Sequence, residues 1–182
     1  VIMSNHLHLL ITPKDKAQLS QFMQSMANRY VRYFNATRNR TGTIWEGRFK
    51  SSLVDSEHYL FTLYKYIEMN PIKADMVENI ADYPWSSYRH NALGKTDPLI
   101  TEHPLYRELG DTTALCNARY QTIFDTANTE VQEDQITEAT MRGEVYGSND
   151  FHDKVSRLIS RATKLTKHGG DRKSDDYKNQ VG

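Results

Sequence analysis

Val1-Ile2-Met3-Ser4-Asn5-His6-Leu7-His8-Leu9-Leu10-Ile11 begins the chain as an apolar run that carries two imidazoles one residue apart. Read as a β-strand, it sends side chains i and i+2 to the same face, so both rings project together from a sheet. Histidine is the commonest side-chain metal ligand, and a pair on a rigid strand loses little entropy when an ion binds. Two ligands alone are a weak signal, because two half-buried histidines of no special role share the pattern. The rest of the chain has to distinguish the two readings.

Pro13 and Lys14-Asp15-Lys16 end this strand, and Leu19, Phe22, Met23, Met26, Tyr30 and Phe34 then recur at helical spacing. The spacing predicts a first helix over about Leu19 to Asn35, with Asn28, Arg29 and Arg32 on its opposite face. Thr37 to Gly42 reads as a basic loop. Ile44 to Val54, which includes Trp45, Arg48-Phe49-Lys50 and Leu53-Val54, reads as a short strand or extended segment. A second helix is expected over Ser56 to Met69, on the apolar stripe Tyr59, Leu60, Leu63 and Ile67. Pro71 marks a kink or a new short helix beyond it. Trp85, within Asp82-Tyr83-Pro84-Trp85-Ser86-Ser87-Tyr88, reads as a packing anchor. Further helices are expected over Pro104 to Leu109, Ala114 to Ala127, Glu130 to Arg142 and Asn149 to Ile159. The polar, glycine-containing end reads as disordered.

With 182 residues, 38% of them apolar and 25% charged, the chain has the make-up of one soluble domain with an appended tail. No run approaches the roughly 20 apolar residues of a membrane span, so no membrane role is expected. Cys116 is the single cysteine and can form no internal disulfide, which fits the cytoplasm. The net charge of zero conceals segregation. Arg29, Arg32, Arg38, Arg40, Arg48 and Lys50 face one acid, Glu46, whereas Glu102 to Asp150 is acidic and Lys154 to Lys173 is basic again. Phosphate affinity follows local clusters of Lys and Arg, so a neutral average does not exclude a polyanionic partner.

On the second helix Tyr66 and Asn70 stand four residues apart and share one face. Asn70 is placed to give an amide oxygen to a metal while Tyr66 offers its phenol to whatever the metal holds. A core tyrosine with a wet hydroxyl has the same spacing. A wider pattern bears on the choice. Ser4-Asn5-His6-Leu7-His8-Leu9-Leu10, Thr41-Gly42-Thr43-Ile44-Trp45-Glu46-Gly47-Arg48-Phe49-Lys50, Tyr66-Ile67-Glu68-Met69-Asn70-Pro71-Ile72-Lys73-Ala74 and Trp85-Ser86-Ser87-Tyr88, in this order and spacing, resemble the REP-associated tyrosine transposases. These are HUH single-strand nucleases with one catalytic tyrosine.

The resemblance covers Val1 to about Leu109, and more loosely the remainder. It implies an α+β fold of the HUH, ferredoxin-like kind, an antiparallel sheet with packed helices, followed by a helical C-terminal region. Residues 1–96 would form the catalytic core, 97–163 the helical region and 164–182 a basic tail. Family members carry partner strands and a helix ahead of this point, so the core is expected to be N-terminally truncated. The HUH histidines fall on His6 and His8, the nucleophile on Tyr66 and the third metal ligand on Asn70. The implied cofactor is Mg2+ or Mn2+. Attack by Tyr66 would give a 5′-phosphotyrosine and a free 3′ hydroxyl, and would conserve the bond energy for rejoining.

The implied partner is a single-stranded DNA hairpin, a short palindrome, bound by a monomer or a homodimer in the bacterial cytoplasm at the nucleoid. Arg48, Lys50, Lys65 and Lys73 are candidates for phosphate contact. Trp45, Phe49 and Tyr88 are candidates for base stacking or, equally, for the core. Beside a purely structural reading, in which the histidines and the polar tail serve only solubility, two rivals stay open at this point. One is a metal-dependent hydrolase that uses water as nucleophile; the other is a DNA-binding protein of the same family without catalytic activity.

Overall fold

The computed structural model describes residues 1–125, 129–159 and 162–164. Among them run α1 (Lys16–Arg38), β1 (Leu53–Val54), α2 (Ser56–Glu68), α3 (Asn70–Lys73), a 3-10 turn at Ile80–Asp82 and α4 (Tyr88–Asn91). These are followed by α5 (Pro104–Arg107), α6 (Thr113–Asp125), α7 (Glu130–Arg142), β2 (Val145–Tyr146) and α8 (Asn149–Leu158). The chain is α+β but mostly helical. None of these helices is long and apolar enough to cross a membrane. The expected disordered tail, residues 164–182, lies outside the described residues from 165 onward.

Among the described residues the antiparallel sheet expected around the histidines is reduced to a single bridge. Ser4 and Asn5 turn the chain, so Val1–Met3 and His6–His8 become the two arms of a hairpin whose one bridge joins Ile2 to Leu7. Met3 N donates to His6 O at 2.8 Å, His8 N to Val1 O at 3.0 Å and the Val1 amine to His8 O at 2.9 Å. Serine and asparagine favour turns because their side chains compete for local backbone groups, and this preference interrupts the apolar run. Leu9, Leu10 and Ile11 continue beyond the ladder with their side chains exposed.

The described residues form two compact units that interleave along the chain. Residues 1–50 and 61–125 make the first unit, and residues 51–60 and 129 onward make the second. In the first unit, Ala92, Tyr106, Cys116 and Tyr120 are buried together, with Phe61, Tyr64, Tyr88, Leu109 and Phe124 packed around them. The aromatic rings meet mostly tilted or edge-on, for example Tyr106 and Tyr120 at 5.7 Å and Tyr88 and Phe124 at 4.9 Å. Such geometry suits the ring quadrupoles. The core role of Tyr88 is thereby clear.

Helix α1 extends beyond the predicted span at both ends because its caps lie outside the apolar stripe. Asp15 accepts from Gln18 N at 2.9 Å, and Asn39 adopts φ 48, the left-handed conformation that closes helices. Trp45 packs its ring 5.9 Å from Tyr30 and donates its indole N–H to the Ala27 carbonyl at 3.3 Å. That makes Trp45 a structural contact of α1.

The second unit holds a parallel pair of strands, with Leu53 opposite Val145 and Val54 opposite Tyr146. Only the first of these strands is expected from residue pattern. A two-residue strand next to the helix-ending Gly143, at φ 67, carries too little periodicity to be recognised. Asp55 holds this unit together by accepting from the Ser148 hydroxyl at 3.0 Å, from Ser148 N at 3.4 Å and from His58 Nδ1 at 3.1 Å.

Candidate active site

The hairpin brings His6 and His8 to one side of the first unit, as their i, i+2 spacing requires. Their rings meet edge-on with centroids 4.9 Å apart, and the two Nε2 atoms face each other at 3.2 Å. Two imidazole nitrogens bound about 2.1 Å from one divalent ion, at roughly 90–110°, stand about 3.0–3.4 Å apart. The observed spacing fits a shared ion.

Each ring is also in a state that suits ligation. Asn5 Oδ1 lies 2.7 Å from His6 Nδ1, which makes Nδ1 the donor and fixes the ring with its Nε2 toward His8. Burial, then the adjacent His6 and the chain's amino terminus, push the His8 pKa down to about 4, so its ring is neutral at pH 7. The orienting role of Asn5 is not legible from spacing; only the hairpin turn shows that its amide reaches back to the ring.

Helix α2 presents Tyr66 to the pair. The His8 and Tyr66 rings are 5.9 Å apart and nearly perpendicular, and Lys73 Nζ stands 5.3 Å from the centre of the Tyr66 ring. Two imidazoles, a phenol and an ammonium from the hairpin, α2 and α3 therefore converge. Asn70, a turn beyond Tyr66, donates its amide N–H groups to the carbonyls of Tyr66 at 2.7 Å and Ile67 at 3.2 Å. These bonds satisfy carbonyls that the helix end would leave open, and they leave the amide oxygen as the end suited to a cation. Among the described residues no group of three or more His, Cys, Asp and Glu could hold a metal. Beyond the histidine pair, ligands would have to come from an amide or from substrate oxygens.

Three of the four basic candidates are exposed: Arg48, Lys50 and Lys73. Lys65 is not, and its expected place on a phosphate-contacting surface is corrected. It is 9% exposed, its ammonium donates to the Phe124 carbonyl and lies 5.1 Å from the centre of the Phe124 ring. A lysine there complements the carbonyl end of α6. Trp85 differs in the opposite sense, since the expected packing anchor is 63% exposed. Phe49 is exposed as well.

Glu68 is the residue that sequence reasoning passed over. It is fully buried and accepts from Ser87 Oγ at 2.6 Å, Asn91 Nδ2 at 2.8 Å and Tyr120 Oη at 2.6 Å. Burial holds its carboxyl above the ordinary range, opposed by these three bonds. Leu60, Tyr64 and Glu68 are spaced i, i+4, i+8, so helical periodicity alone would have turned it inward.

Part of the chain is similar to known proteins. Residues 1–70, which hold both histidines and Tyr66, match the family model described as "Transposase IS200 like". Over 107 residues the chain is 28% identical to a Haemophilus influenzae protein described as "Putative REP-associated tyrosine transposase". That alignment takes in 53% of this chain and 61% of the relative, so the chain spans less than two thirds of that protein's length. No solved structure matches the chain. Both matches agree with the resemblance carried by His6-Leu7-His8 and Tyr66: part of the chain is similar to IS200-like and REP-associated tyrosine transposases.

Proposed function

We propose that this chain nicks and rejoins single-stranded DNA beside a hairpin, with Tyr66 as the nucleophile and a divalent ion held by His6, His8 and Asn70. The observation that carries the reading is the convergence of the facing His6 and His8 Nε2 atoms, 3.2 Å apart, with the Tyr66 ring 5.9 Å from His8. The bound ion, Mg2+ or Mn2+, would supply charge to polarise a non-bridging phosphate oxygen.

The chain's own groups do the rest. The Tyr66 hydroxyl loses its proton and attacks phosphorus, the bond from phosphorus to the 3′ oxygen breaks, and that oxygen leaves with a proton as a 3′ hydroxyl. The product is a 5′-phosphotyrosine, which a second 3′ hydroxyl reverses without a nucleotide cofactor. Lys73, with its ammonium 5.3 Å from the ring centre, is placed to meet the negative charge of the incoming phosphate. Arg48 and Lys50, both exposed, are suited to the flanking phosphates.

The test is incubation of the protein with Mn2+ and a single-stranded hairpin oligonucleotide, followed by denaturing electrophoresis. The expected result is a covalent adduct that is lost in Tyr66→Phe and in His6→Ala. Cleavage that persists in Tyr66→Phe would show water to be the nucleophile.

A further inference from the structure

The hairpin that carries the histidines has a second neighbour. Ile2 N donates to the Trp85 carbonyl at 2.9 Å, and the Tyr83 hydroxyl donates to the Ile2 carbonyl at 2.7 Å. These bonds fix the segment around Trp85 to the arm that pairs with His6-Leu7-His8. Between them lies an open cavity of about 500 Å3, lined by Ile2, Met3, Ser4, Met76, Tyr83 and Trp85. Small-molecule sites commonly fall within roughly 300–1,000 Å3. Its lining is largely apolar, and Ile2, Met76 and Trp85 leave 51%, 40% and 63% of their surface exposed.

The position of the cavity relates it to the proposed chemistry. Ser4 belongs to the turn that leads into His6, and Met3 N bonds to His6 O at 2.8 Å. On the opposite wall, Asp75 adopts φ 52 immediately after α3 and turns the chain, so that Met76 N bonds back to Pro71 O at 3.0 Å. Aspartate tolerates this left-handed conformation better than most residues. The cavity is thus bounded by the two segments that also place His6 and Lys73, and hydrogen bonds tie its Ile2 wall to Tyr83 and Trp85 before any ligand arrives.

We infer that this cavity takes one unpaired nucleobase of the DNA strand that Tyr66 attacks, stacked on the Trp85 indole with Met76 and Ile2 against its edges. The inference rests on the proposed function. An indole and a thioether at an open apolar site recognise a flat aromatic face, and single-strand binding proteins use such platforms because every base offers one. The sugar-phosphate chain on either side of that base would run toward the histidine pair and Lys73.

An abasic scan tests the inference. Hairpin oligonucleotides carrying an abasic residue at each unpaired position in turn are bound, without divalent metal, to the wild-type chain, to Trp85→Ala and to Trp85→Phe. At one position the abasic change should weaken wild-type binding about tenfold, in line with the usual cost of losing a stacked base. Trp85→Ala should bind the intact strand about tenfold more weakly and be indifferent to the base at that position, whereas Trp85→Phe should keep the sensitivity. Met76→Ala should weaken the same position to a smaller degree. Wild-type affinity in Trp85→Ala, or equal losses with and without every base, overturns the inference. The covalent adduct is scored separately on the wild-type chain with Mn2+, so its failure counts against the proposed function while the binding cycle judges the base site.

Discussion

Glu68 and Tyr120 are joined at 2.6 Å in the core of the first unit, a carboxyl on the helix of the candidate nucleophile receiving a phenol from α6. Ser87 and Asn91 bond to the same carboxyl, so three donors depend on one buried acceptor. Replacing Glu68 with alanine strands all of them, and each unsatisfied buried donor costs about 1–3 kcal/mol. Glu68→Ala should therefore lower the stability of the chain by about 3 kcal/mol or more in urea unfolding. Glu68→Gln, which keeps one acceptor oxygen, should lose less than half as much. A change within 0.5 kcal/mol of wild type for the alanine variant, on the order of a surface substitution, would show that the network is dispensable.

Asn5 should matter to the metal and not to the fold. Its exposed side chain accepts from His6 Nδ1 at 2.7 Å and packs into no core. Loss of such an orienting partner typically weakens metal binding by roughly 10–100-fold. Asn5→Ala should raise the Mn2+ concentration needed for adduct formation within that range and leave the thermal unfolding midpoint in place. An unchanged Mn2+ requirement would remove Asn5 from the site.

The basic residues should separate by salt dependence. Arg48→Ala and Lys50→Ala remove exposed charges, so each should reduce the slope of log affinity against log salt by about one if the charge meets a phosphate. Lys65→Met removes a buried ammonium from the Phe124 carbonyl and ring. That variant should lower stability, by on the order of 1–3 kcal/mol for a lost charged hydrogen bond, and leave the salt slope alone. Binding measured at several salt concentrations distinguishes the two behaviours.

Asp55 should govern the acid stability of the second unit. Burial pushes its carboxyl up, but the hydrogen bonds from His58 and Ser148 outweigh it and hold the pKa below the ordinary value. An acid depressed in the folded state stabilises above its unfolded pKa, near 4, and loses that contribution as pH falls through the lower folded value. Hydrogen exchange of the α8 amides should therefore accelerate below about pH 4 in the wild-type chain. Asp55→Asn should flatten that dependence, with a cost on the order of 1–3 kcal/mol at neutral pH. Gly147→Ala should loosen the same latch, because the added carbon would fall 2.6 Å from Phe151 Cδ1 and 2.8 Å from Asp55 Cβ.

Much of this architecture is written in local pattern. The span of α7 follows from its capping box at Thr129 and Gln132, and α2 from the stripe Leu60, Leu63 and Ile67. The joint projection of His6 and His8 needs only the period of an extended chain. Other features are silent in the sequence because they depend on partners far along it. Val145–Tyr146 becomes a strand only beside Leu53–Val54, and Lys65 turns inward only because the carbonyl end of α6 is there to receive its charge.

Periodicity and motif order by themselves determined the helices, the facing histidines, the tyrosine one helix away and the resemblance to tyrosine transposases. Tertiary structure alone decided that Lys65 turns inward to the Phe124 carbonyl, which three donors meet the Glu68 carboxyl, and that Trp85 stands open beside the site. The physical reason is range: side-chain period and turn preference act over a few residues, whereas burial of a charge or exposure of an indole depends on which distant segment supplies the hydrogen bond or covers the ring.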